Sequence, residues 1–175
     1  MRYLFIAIAG LILVSCGTKV PYTNSIRDEF GLDSEKKMRQ VQFFTSATIK
    51  LEKSKTSGNQ GTDDGGALVA NQSKESDEII IPIGTECIFE EFGENGDIAV
   101  RFEVGPQKTI SFRMRQGQTS GKYYLVADWP NNGRVEYGNE TYNATRASGT
   151  AYLMVILKKL QKTKRKQRVV KGMKV

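Results

Sequence analysis

Residues Val41 to Glu52 alternate in character. The odd positions are Val41, Phe43, Thr45, Ala47, Ile49 and Leu51; the even positions are Gln42, Phe44, Ser46, Thr48, Lys50 and Glu52. Successive side chains of a strand point to opposite faces, so this period of two marks one strand with a buried face and a wet face. Phe44 is the exception on the wet face. Further short strands are expected at residues 79–83, 86–92, 98–104, 109–115, 123–128, 134–137 and 151–159, with a last one at 168–175. Asn95-Gly96 and Asn132-Gly133 are hairpin dipeptides, because both residue types tolerate positive φ. Ile98, Val100, Phe102 and Val104 are expected on one face, as are Ile110, Phe112 and Met114. Seven to eight short strands at this spacing predict a mostly β fold, a small antiparallel barrel or sandwich. A short helical turn precedes it, with Asp33 or Ser34 able to cap Glu35 to Met38.

The start of the chain is of another kind. Tyr3 to Val14 is an uninterrupted apolar run of twelve residues, preceded only by the charge of Arg2. That is short of the roughly 20 residues that span a bilayer as a helix. A positive start, a short apolar segment and small residues read as a secretion signal. The run ends in Leu13, Val14 and Ser15, followed at once by Cys16. These four residues resemble the lipobox of bacterial lipoproteins. The resemblance implies removal of residues 1–15, diacylglycerol on the Cys16 sulfur and acylation of the new amino terminus. Several acyl chains anchor stably where one does so only marginally. Gly17 and Thr18 follow, with no acid beside the cysteine. That resembles lipoproteins sorted to the outer membrane, and the expected place is its periplasmic face, with surface exposure left open.

The expected organisation is a signal over residues 1–15, a lipidated tether and lead-in over 16–34, and a single β domain over 35–175. Gly17 to Asn24 is the tether proper. Residues 53–77 are rich in Gly, Ser, Asn, Gln and Asp and are expected as a disordered low-complexity insert within the domain.

The chain carries a formal charge of +7. Nine of its positive residues fall between Lys158 and Lys174 with no acid among them, and the stretch from Cys16 to Leu157 is net −3. Such a basic end would ordinarily suggest nucleic acid. Export removes that partner. Anionic lipid, lipopolysaccharide, peptidoglycan or an acidic protein face replace it.

Histidine is absent and there are two cysteines. Ser-His-Asp and Cys-His catalysis, histidine-ligated zinc and four-cysteine zinc are therefore excluded. Cys87, between Glu86 and Ile88-Phe89, is expected as a buried small residue. Glu90, Glu91, Glu94 and Asp97 cluster near one hairpin tip and are expected to be solvated. Arg101, Arg113 and Arg115 lie on the wet side of their strands, with Glu103 as a possible partner. No catalytic residue, metal site or cofactor is implied. The candidate binding residues are Lys162, Lys164, Arg165, Lys166 and Arg168 in the basic end, and Tyr123, Tyr124 and Trp129 as an aromatic platform.

Several stretches resemble envelope proteins of Bacteroidota. They are the lipobox Leu13 to Cys16, Leu32-Asp33, Val41 to Ser46, Ile49 to Leu51, Ile81 to Thr85, Val100 to Glu103, Tyr137 to Tyr142 and Val170 to Val175. The resemblance implies an exported β domain and brings no catalytic residue. The expected function is a lipid-anchored, non-enzymatic module that docks on an outer-membrane or periplasmic protein complex. The alternative is a peptidoglycan- or glycan-binding module that uses the basic end and the Tyr and Trp residues.

Overall fold

The structure, a computed structural model, describes residues 17–62 and 68–161. Among them eleven strands form two antiparallel sheets, in a sandwich-like arrangement that is not a closed barrel. The strands are β1 (Lys19–Pro21), β2 (Gln42–Thr45), β3 (Ile49–Thr62), β4 (Leu68–Ile81), β5 (Glu86–Phe92) and β6 (Ile98–Arg101). They continue as β7 (Thr109–Met114), β8 (Tyr123–Leu125), β9 (Arg134–Tyr137), β10 (Glu140–Ala144) and β11 (Leu153–Ile156). The larger sheet runs β1-β11-β2-β5-β6-β7-β8; the smaller runs β4-β3-β10-β9. Isolated bridges Thr23↔Lys122 and Tyr124↔Tyr152 tie β8 back toward the β1–β11 edge.

The alternation that marks residues 41–52 sets inside from outside correctly. Val41, Phe43, Thr45, Ile49 and Leu51 are all buried. The stretch is nevertheless two strands. β2 belongs to the larger sheet and β3 to the smaller, and the chain changes sheet at Ser46 to Thr48. Side-chain oxygens hold this crossover. Ser46 Oγ accepts the Tyr152 amide at 2.8 Å, and Thr48 Oγ1 accepts that of Ile83 at 3.2 Å. Phe44, the exception on the polar face, is buried beneath Lys19, whose Nζ lies 4.0 Å from the ring centroid. Thr45 occupies a core position because its hydroxyl donates to Pro82 O at 2.9 Å and accepts from Thr85 N at 3.2 Å. Those bonds fix the turn between β4 and β5.

The helical lead-in is two short helices. α1 (Asn24–Phe30) is capped by Thr23, whose Oγ1 accepts the Ile26 amide, and stops at Gly31 in the left-handed conformation. α2 (Glu35–Met38) starts after Ser34 and buries Met38. The segment expected as a tether is part of the domain. β1 pairs with β11 through Lys19↔Ile156, Val20↔Val155 and Pro21↔Met154, and Tyr22 N donates to Leu153 O at 2.8 Å. Tyr22 is fully buried, edge-on to Phe43 at 5.2 Å between ring centroids. Such an aromatic pair adds about 1 kcal/mol beyond its buried area. The domain therefore begins near Lys19 and not at residue 35.

The insert expected at 53–77 is ladder over much of its length. β3 and β4 stay in register from Ile49↔Ile81 to Thr62↔Leu68. The third strand, β10, pairs with β3 only at Leu51 and Glu52. A two-stranded ribbon pairs the backbone groups that face its partner and leaves the outward ones to water, so it needs no apolar face.

Further differences concern ends and turns. The last described strand ends at Ile156, and residues 157–161 are helical rather than extended. Asn95-Gly96 does turn β5 into β6, at φ 60° and 78°. β10 was not expected. Its tight connection from β9 is Gly138-Asn139, at φ 63° and 66°. Val104 is 98% exposed, so the face begun by Ile98 and Val100 does not continue past β6. The expected strand at 168–175 lies outside the described residues.

Candidate binding site

Trp129 opens a short 3-10 turn, Trp129–Asn131, after β8. The turn closes on Asp128, whose carbonyl accepts the amides of Gly133 at 2.9 Å and Arg134 at 3.2 Å. This places the six-membered ring of the indole between two glycines. A Cβ on Gly133 would lie 3.1 Å from Trp129 Cζ3, and one on Gly149 would lie 2.9 Å from Cζ2. Both positions thus need glycine for the ring to sit where it does.

Gly149 belongs to a second 3-10 turn, Arg146–Thr150. Buried Ser148 pins that turn to β3: its Oγ accepts Lys50 N at 2.9 Å and lies 3.2 Å from Lys50 O. The turn holds Arg146 at the surface. From the other side comes Arg115, one residue past β7. Its guanidinium donates to Gly149 O and lies 4.4 Å from the centroid of the Tyr124 ring.

Arg115, Trp129, Arg146, Gly149 and Thr150 line a cleft of about 430 Å³. A recess of about 120 Å³ adjoins it, lined by Glu52, Asn132, Asn143 and Thr145. Trp129 and Arg146 border both. Neither Arg115 nor Arg146 has a carboxylate partner among the described residues. The arrangement thus offers an aromatic surface, two cations suited to bidentate carboxylate recognition, and two side-chain amides within one groove.

The residues named from sequence are divided by this geometry. Tyr124 and Trp129 are half-exposed. Tyr123 is not part of a platform: it is 1% exposed, lies 5.2 Å from Tyr22 and accepts a hydrogen bond from Arg27 at 3.3 Å. The alternation of β8 turns Tyr123 and Leu125 inward and Tyr124 outward. One face of Tyr124 is covered by Arg115, and its edge meets Tyr152 at 5.7 Å. Trp129 is therefore the aromatic centre of the site. Lys162, Lys164, Arg165, Lys166 and Arg168 lie outside the described residues, as do Leu13, Val14, Ser15 and Cys16.

The other charged residues are mostly paired. Glu103 does not partner the arginines. Arg101 makes a bidentate pair with Glu90, at 2.9 and 2.7 Å. Arg113 makes one with Asp97. Glu103 accepts from Tyr137 at 2.8 Å and pairs with Lys108 at 3.2 Å. The Tyr137 hydroxyl and then Lys108 hold its carboxyl below the usual range. Arg101 likewise holds Glu90 down. Asp97, expected to be solvated, is buried instead. Cys87 is buried as expected, and desolvation pushes its thiol up to about 12.

Sequence reasoning missed Arg146, Asn132, Asn143 and the two glycines. Asn132-Gly133 was legible only as a turn, and nothing periodic marks Arg146. Comparison with protein-family models, with curated proteins and with solved structures finds no match for this chain.

Proposed function

We propose that this protein is a lipid-anchored, non-enzymatic binding module of the bacterial cell envelope. Its ligand is a carboxylate-bearing glycan of the wall, with peptidoglycan the fitting polymer. The observation that carries this reading is that Trp129 lines one cleft with Arg115 and Arg146, two cations without carboxylate partners among the described residues. A sugar ring packs its apolar face on the indole, and the arginines take acidic groups of the peptide stems. Anchoring through Cys16 supplies the position.

Co-sedimentation of the mature protein with purified peptidoglycan tests the reading. Trp129→Ala and Arg146→Ala should each weaken retention at least about tenfold, which is about 1.4 kcal/mol. Amidation of the stem carboxylates should weaken it as well. Retention unchanged in both variants overturns the glycan site. Cys16→Ala should release the protein from the membrane fraction; unchanged retention with normal processing overturns the anchor.

A second reading, docking on an envelope protein complex, is favoured by a different surface. Ile88 and Val104 are 51% and 98% exposed and line a groove of about 300 Å³ with Gln42, Glu86 and Phe102. A crosslinker at position 88 that captures one stoichiometric protein would support it. Capture of none overturns it.

A further inference from the structure

The cleft beside Trp129 and the recess that adjoins it differ in charge. Arg115 and Arg146 make the cleft of about 430 Å³ cationic, whereas the recess of about 120 Å³ holds Glu52 with Asn132, Asn143 and Thr145. Trp129 and Arg146 stand on the border between them. The recess is the smaller, so it suits a substituent, and the cleft suits the ring that bears it.

The smaller sheet places the polar groups of the recess. Asn143 of β10 is the register partner of Glu52 on β3. Directly opposed residues share a face and hold their Cβ atoms about 5 Å apart. That face is the wet one, because the next pair, Leu51 and Ala144, is buried. Asn132 is brought beside β10 by its left-handed turn, at φ 57°, with Gly133 O accepting the Ala144 amide at 2.7 Å. The neighbouring groups are engaged elsewhere. Arg134, opposite Asn143 on β9, turns to Glu136 at 3.2 Å. Glu78, opposite Glu52 on β4, pairs with Lys50 at 3.1 Å. Thr145 Oγ1 lies 2.8 Å from Ser148 Oγ. The side chains of Glu52, Asn132 and Asn143 form no hydrogen bond or ion pair among the described residues.

An ionised glutamate only accepts hydrogen bonds, and an asparagine amide also donates them. The complement is a neutral group that carries a donor and an acceptor on separate atoms, which is a secondary amide. A second acid in the recess would be repelled by Glu52, so an acidic ligand is turned with its carboxylate toward the arginines. We infer that the site selects an N-acetylated amino sugar that also bears a carboxylate. The acetamido group enters the recess, its N–H donating to Glu52 and its carbonyl accepting from Asn143 or Asn132. The ring lies on Trp129, and the carboxylate meets Arg115 and Arg146. The inference rests on the reading of the cleft as a site for a carboxylate-bearing glycan, and adds the residues that set its specificity.

Trp129 is the one tryptophan of the chain, so its fluorescence reports the site directly. The mature protein is titrated with N-acetylmuramic acid and with the same sugar carrying a hydroxyl in place of the acetamido group. The N-acetylated sugar should bind about tenfold tighter or more. Asn143→Ala and Glu52→Ala should each lower that ratio about threefold or more, the effect of losing one hydrogen bond. Arg146→Ala should weaken both sugars alike and leave the ratio unchanged. A merely structural role for residue 52 or 143 would likewise weaken both sugars alike. A preference that survives both Asn143→Ala and Glu52→Ala overturns the assignment of the recess. Equal binding of the two sugars also overturns it; the carboxylate site then stands if Arg146→Ala weakens both and falls if it weakens neither. No response to either sugar overturns the recess too, and retention on peptidoglycan unchanged in Trp129→Ala and Arg146→Ala then overturns the underlying reading with it.

Discussion

Asp97 and Arg113 face each other across β6 and β7, and the guanidinium grips both carboxylate oxygens, one at 2.6 Å. Asp97 is 7% exposed and stands at the start of β6, so this pair closes the end of the β5–β6 hairpin onto β7. The Arg113 end is partly open to solvent, which tempers the cost of loss. Asp97→Ala is expected to destabilise by about 2 kcal/mol in urea unfolding, a typical value for hydrogen bonds to charged groups. Asp97→Ala and Arg113→Ala combined should cost clearly less than their separate sum. Full additivity would show that the pair does not hold this hairpin.

Gly149→Ala probes the setting of Trp129 without touching its chemistry. The new methyl would lie 2.9 Å from the indole and push it from its seat. Peptidoglycan retention is expected to fall while stability changes by less than about 1 kcal/mol, because Gly149 does not sit at positive φ. Gly133→Ala should behave differently. Gly133 has φ 72° and its Cβ would collide with Ala144 O, so a loss of about 2 kcal/mol or more is expected. Retention unchanged in Gly149→Ala would separate the indole's position from binding.

Cys87 supplies a pH dependence with a defined sign. Its thiol rises by burial from 9.0 to about 12. The native state therefore keeps a proton that the unfolded chain loses first. The stability so contributed is complete below pH 9.0 and declines as pH rises toward about 12, by about 1.4 kcal/mol per unit. Between pH 8 and pH 10, Cys87→Ala should lose about 1.4 kcal/mol less stability than the unmodified protein. Tyr22 and Tyr137 are also raised by burial, but they are common to both proteins and cancel in the comparison.

Beyond Glu52 the β3–β4 ribbon has no third strand among the described pairings. A two-stranded ribbon is marginally stable at best. Joining Thr56 to Lys74, its register partner, through Asn-Gly should therefore cost less than about 1 kcal/mol. A loss of several kcal/mol on urea unfolding would show that the outer ribbon supports the sandwich.

Much of the inside-outside pattern was legible. The odd positions from Val41 to Leu51 face the core on both sides of the break at Ser46 to Thr48. Ile110 and Phe112 are buried, and Arg134–Tyr137 is a strand with the expected ends. The crossover was not legible, because the hydroxyls that make it, Ser46 and Thr48, also fit the wet face of a continuous strand. Nor was β1, whose Lys-Val-Pro carries no alternation and is extended only because β11 lies beside it. At the candidate site Trp129 and Tyr124 could be named from sequence. Tyr123 could not be separated from them until the inward face of β8 was known.

The division has one physical cause. Alternation follows from backbone geometry within a few residues, so the sequence by itself determined a β domain, its core-facing positions and, in the run ending at Cys16, an expected address. Which strands share a sheet depends on contacts between distant residues, whose closing cost and reward leave no mark on local pattern. Tertiary structure alone therefore decided that Lys19 lies beside Ile156. It also decided that Arg115, Trp129, Arg146 and Gly149, from three separate connections, line one cleft.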